Sequence, residues 1–73
     1  MNKFYITFGF IHKDSKGNSL RHCYTIVEAE NEAEAREKMC ASPVGHQWSN
    51  IYRTPQEAGV INYKLSLVPF NSL

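Results

Sequence analysis

The stretch Val27-Glu28-Ala29-Glu30-Asn31-Glu32-Ala33-Glu34-Ala35-Arg36-Glu37-Lys38-Met39-Cys40 decides the fold. It reads as the end of a strand, a cap, and the only substantial helix in the chain. Asn31 is a good N-cap, because its side-chain oxygen can accept from a free backbone N–H of the first turn. Glu34, three residues on, completes a capping box by reaching back to the Asn31 N–H. Glu32 and Glu34 put negative charge where the helix dipole favours it. The pairs Glu32/Arg36 and Glu34/Lys38 are spaced four apart with the acid first, the better orientation. Ala35 and Met39, flanked by Ala33 and Cys40, give a narrow apolar stripe. That stripe can dock on a sheet, but it cannot hold an isolated helix together. Ser42 precedes Pro43, so the helix should end near Cys40 or Ala41.

Upstream, residues 3–11 read as a strand with Phe4, Ile6, Phe8 and Phe10 on its core face. Gly9 in that strand marks a bulge or a close approach of another segment. A polar turn over residues 12–19, with Asp14-Ser15-Lys16-Gly17-Asn18 at its tip, makes a hairpin with a second strand over residues 20–29. Val27 and Ala29 are assigned to the core face of that strand. His22, Tyr24 and Ile26 then fall on the opposite face, with Tyr5.

Downstream, Ser42-Pro43-Val44-Gly45 is a turn, and residues 47–53 read as a third strand. Thr54-Pro55-Gln56-Glu57 is a second capping box with proline at the first helical position, and Gly59 can close that short helix. Residues 60–68 alternate Ile61, Tyr63, Leu65 and Leu67 against Asn62, Lys64, Ser66 and Val68 and read as the clearest strand of all. Pro69 ends the pairing, and residues 70–73 read as a loose tail or one laid over a sheet edge. The expectation is therefore a single domain, residues 1–73, of α+β class. It is a four-stranded, mainly antiparallel sheet with one helix packed on one face, in the order β-β-α-β-β. A β-grasp-like arrangement and a split ββαβ sheet both satisfy that order.

Composition narrows the function classes. Eight basic and seven acidic residues give a net charge of +1, with the signs well mixed, so no basic block marks a dedicated nucleic-acid binder. No apolar run is long enough for a membrane span or a signal-peptide core, which points to a cytoplasmic protein. Cys23 and Cys40 are then expected as free thiols. A chain of 73 residues is near the lower limit for a self-sufficient core, so a homodimer is one expectation on stability grounds alone.

No constellation here carries recognisable catalysis. Cys40 and His46 are six apart, but no third member accompanies them, and a helix C-terminus does not favour a thiolate. His22, Cys23, Cys40 and His46 lack any metal-ligand spacing. No catalytic residue, metal or cofactor is expected, and an enzyme is the last-ranked reading.

The binding signals are aromatic. With one helix on one face, the other face of the sheet carries Tyr5, Thr7, Tyr24, Ile26, Asn62 and Lys64, and nothing remains to cover it. Trp48, Tyr52 and Arg53 form a second cluster, since Trp, Tyr and Arg are the types enriched in binding hot spots. On an extended strand Trp48 and Tyr52 would share a face, while the plainer role for Trp48 is to fill the small core.

Phe4-Tyr5-Ile6-Thr7-Phe8-Gly9, then Val27-Glu28-Ala29 leading into Glu34-Ala35-Arg36, then Gly45-x-x-Trp48-x-x-x-Tyr52, resemble a group of small tailed-phage and prophage proteins. In that group a (Y/F)(I/V)TFG opening strand precedes an acidic cap, an EAR helix and a GxxWxxxY segment. The resemblance covers most of the chain. It implies a phage or prophage origin and carries no mechanism. This chain departs from the pattern in its lysine- and asparagine-bearing hairpin and its longer final strand.

The leading expectation is thus a non-enzymatic binding protein. It would be a phage-encoded accessory factor in a bacterial host's cytoplasm that docks on a host or phage macromolecule, a protein above all, and modulates it. The contact residues would be Tyr5, Tyr24, Ile26, Trp48, Tyr52 and Arg53. The alternatives are a single-stranded nucleic-acid binder that stacks bases on sheet aromatics, and a self-assembling dimer.

Overall fold

The alternation at the start of the chain becomes strand β1 (Asn2–Thr7) in the computed structural model, which describes residues 2–9, 12–14 and 16–73. Phe4, Ile6 and Phe8 are buried as expected. Phe10, Ile11 and Ser15, which the sequence places in the first strand and the hairpin tip, lie outside the described residues.

Strand β2 (Cys23–Ala29) pairs antiparallel with β1, Phe4 opposite Val27 and Ile6 opposite Thr25. The connection is an irregular arm. The Asp14 carboxylate accepts from the backbone N–H groups of Lys16 and Asn18, both at 2.9 Å. The second strand therefore begins at Cys23 and not at residue 20. Leu20 plugs into the core from a turn that the left-handed His22 completes.

Helix α1 (Glu32–Ala41) starts at Asn31, whose side chain accepts from the Glu34 N–H at 2.8 Å. Both designed-looking ion pairs are present, Arg36 with Glu32 at 3.2 Å and Lys38 with Glu34 at 3.5 Å. Each stabilises the exposed helix by roughly 0.2–0.5 kcal/mol. Ala35 and Met39 are fully buried and seat the helix on the sheet. The small Ala35 lets the helix backbone come close, while Met39 fills the gap beside it.

Strand β3 (Asn50–Tyr52) is shorter than residues 47–53 and pairs antiparallel with β1. Gly9, at φ +66°, lies so close to Ser49 that a Cβ there would sit 2.6 Å from its Oγ, which is the close approach expected of a glycine at that place. Helix α2 (Pro55–Ala58) has the anticipated Thr54 cap, Pro55 at its first turn and a left-handed Gly59 at its end.

The long final strand does not form. Residues 60–64 coil into turns in which Tyr63 N–H donates to the Gly59 carbonyl and Leu65 N–H to that of Val60. Lys64 takes φ +51°. Ile61 and Tyr63 are exposed, at 78% and 69%. The alternating pattern is not paired over residues 60–64, and pairing decides strand formation more than pattern does. Only Ser66–Leu67, strand β4, meets the edge of β2 at Cys23 and Tyr24, and it runs parallel to it. Asn62 and Lys64 are consequently not on the sheet.

The sheet order is β3-β1-β2-β4, mixed rather than mainly antiparallel. Strands β2 and β3 flank β1 and are joined through α1, which is the split arrangement. In a β-grasp the two central strands would be parallel, and here they are antiparallel. The fold is α+β, with one main helix on one face. The C-terminal residues are not loose. Phe70–Ser72 form a 3-10 turn that delivers Leu73 into the core at 4% exposure. Burying a leucine is worth about 1.5–3 kcal/mol, enough to tether a short tail.

Candidate functional site

The candidate surface is the sheet face opposite α1, and strand register builds it. Side chains that face one another across a ladder point to the same side of the sheet. Tyr5 stands opposite Ile26 on one side and Tyr52 on the other. Thr7 stands opposite Tyr24, and Tyr24 opposite Leu67. Two rows result, Tyr52–Tyr5–Ile26 and Thr7–Tyr24–Leu67. The Tyr5 and Tyr24 rings meet on the diagonal, with centroids 6.3 Å apart and planes tilted by 33°. Tyr5, Tyr24, Ile26 and Tyr52 are half-buried, and Leu67 is 52% exposed. Lys3 and Glu28 oppose each other where the rows end, so the rim carries both signs.

This face is not wholly uncovered. Helix α2 and the coiled residues after it cross the end of the sheet beside Thr7. There Thr7, Asn50, Tyr52, Cys23, His22 and Tyr63 line a cleft of about 350 Å³. Burial raises the Cys23 thiol above its ordinary pKa. The sequence offered nothing to cover this end because residues 60–64 read as a strand within the sheet.

Of the six residues expected to bind, four come together: Tyr5, Tyr24, Ile26 and Tyr52. Trp48 does not join them. It precedes β3, packs against the core, and lies under Arg36 of α1, whose guanidinium carbon is 5.6 Å from the ring centroid. Trp48 and Tyr52 share a face only along a continuous strand, and pairing begins at Asn50. Arg53 is exposed just past β3, beside a shallow depression lined by Lys3, Tyr5, Glu30 and Asn31. Leu67 is the residue that sequence reasoning missed. Its alternation with Leu65 and Tyr63 assigned it to a core row, and only the parallel register with Tyr24 reveals its true side.

The Cys40 and His46 side chains do meet, with Sγ 3.4 Å from Nδ1, both exposed. Among the described residues no group of three or more His, Cys, Asp or Glu side chains could hold a metal ion. No helix among them is long and apolar enough to cross a membrane. Compared with protein-family models, with curated proteins and with solved structures, the chain matches none.

Proposed function

We propose that this chain is a non-enzymatic binding protein whose contact surface is the sheet face opposite α1. One observation carries the reading: Tyr5, Tyr24, Tyr52, Ile26 and the half-exposed Leu67 form a continuous patch on a face that no main helix covers. Tyrosines are favoured at interfaces because each supplies a large, stiff apolar area and one polar tip. The mixed-sign rim at Lys3 and Glu28 suits a protein partner better than a polyanion. In keeping with the resemblance of its motifs, the chain is read as a phage-encoded accessory factor. It would act in a bacterial host's cytoplasm and modulate the macromolecule it docks on.

Affinity capture from a bacterial lysate, run with the wild-type chain and with Tyr24→Ala side by side, tests this. A discrete partner held by the wild type and lost by a folded Tyr24→Ala chain supports the reading. Equal capture by both chains, or none by either, contradicts it.

A second reading follows from the three tyrosines on one sheet face, which could stack unpaired bases. Fluorescence titration with a single-stranded oligonucleotide at rising salt separates the two, since such binding weakens steeply with salt.

A further inference from the structure

We propose that Cys40 and His46 form a thiol-exchange site that takes low-molecular-weight disulfides and leaves Cys40 as a mixed disulfide. The proposal is independent of the binding face, because the pair sits at the far end of α1 and its following turn. Two buried anchors build the geometry. Met39, fully buried, fixes the helix turn that carries Cys40. Val44, 5% exposed, fixes the turn that carries His46. Between them the Ser42 N–H donates to the Met39 carbonyl, and the Gly45 N–H donates to that of Ser42. Gly45 takes φ +58°, which bends the chain back toward the helix end. The imidazole is thereby held with Nδ1 3.4 Å from Sγ, within reach of the thiol proton.

The nucleophile in exchange is the thiolate, so a thiol gains from a positioned base. A helix C-terminus gives a thiolate no help, which leaves His46 as the group that makes Cys40 reactive. The step balances as follows. His46 Nδ1 takes the Cys40 proton, and Sγ attacks one sulfur of the disulfide. The new S–S bond forms as the old one breaks. The departing thiolate carries both electrons of the broken bond and collects the proton from His46. Cys40 is oxidised, the departing sulfur is reduced, and no other oxidant is required.

The same chain contains its own control. Cys23 is half-buried, donates to the Arg21 carbonyl and has its thiol form favoured by desolvation. The test is incubation of the wild-type chain with oxidised glutathione at neutral pH, followed by intact mass and peptide mapping over time. The expected result is one glutathione per chain, on Cys40, forming at least about tenfold faster than on Cys23. His46→Ala should slow the Cys40 adduct by about the same factor while Cys23 stays unchanged. His46→Asn serves the same purpose if the alanine variant is poorly folded, since it keeps a polar side chain at the turn. Comparable rates at the two cysteines, or an undiminished Cys40 rate without His46, overturn the proposal.

Discussion

Replacing Thr25 with valine is expected to stabilise this protein. Thr25 lies in the centre of β2, fully buried, opposite the equally buried Ile6. Its Oγ1 has no hydrogen-bond partner among the described residues. Folding strips water from that hydroxyl without replacing the lost bond, at a cost of roughly 1–3 kcal/mol. Valine has the same shape, the same β-branched stiffness and an equal fit to a strand, so the substitution removes the penalty and little else. A net gain of about 1–2 kcal/mol follows once imperfect packing of the new methyl is allowed for. For a domain of this length that is a rise in Tm of roughly 4–16 °C. Urea unfolding followed by the fluorescence of Trp48, which packs against the same core, would read the change as a later midpoint with an unaltered slope. Thr25→Ala is the control. It also removes the hydroxyl but leaves a cavity, so it should fall below the valine variant by more than 1 kcal/mol, on the order of the usual cavity cost. A valine variant no more stable than the wild type would refute the reasoning, because the hydroxyl would then have a partner and the core would not be dry at that point.

Two further perturbations probe the parts that position the candidate face. Gly59 takes φ +76°, and a Cβ there would overlap the Tyr63 ring, so Gly59→Ala should cost roughly 1–2 kcal/mol from backbone strain plus displacement of that ring. Adding Tyr63→Ala should recover only the second part, which a double-mutant cycle by thermal melting would measure. The hairpin tip should loosen in acid. Backbone donation from Asn18 first, and from Lys16, holds the Asp14 carboxyl below its ordinary 3.8. A depressed carboxyl stabilises the fold above its unfolded pKa, and that contribution is lost as pH falls through the lower folded value. Amide exchange at Lys16 and Asn18 should therefore stay protected from neutral pH down to about 4 and open below it. Asp14→Asn should show no such step.

The helix and its cap were legible because every signal there is local. Asn31, the acid-first ion pairs and the Ser42-Pro43 stop each act within one or two turns. The β1–β2 hairpin was legible from period-two alternation, with Phe4, Ile6, Phe8, Val27 and Ala29 all on the core side. What failed depended on partners distant in sequence. Residues 60–68 carry a strand pattern, yet residues 60–64 coil into turns after the left-handed Gly59, and only Ser66–Leu67 pairs with the edge of β2. The aromatic patch was half legible for the same reason. Tyr5, Tyr24 and Ile26 follow from alternation within two paired strands. The position of Leu67 follows only from a parallel register that no local residue announces. Trp48 takes the plainer of its two readings and packs against the core, and it does not share a face with Tyr52 because β3 starts two residues after it. Leu20 and Leu73 fill the core from irregular segments that carry no periodicity at all.

The central claim is that the sheet face opposite α1 makes the contact, and Leu67→Glu tests it most directly. Leu67 is 52% exposed at the end of the Thr7–Tyr24 row, so a charge there should leave the fold and its Tm nearly unchanged while placing an unpaired carboxylate on the contact face beside Tyr24. Light scattering and lysate capture, run on both chains, give the measurement. The account predicts that whatever the wild type binds, a second copy included, is lost from a folded Leu67→Glu chain. Full retention of that assembly by the charged variant would contradict it.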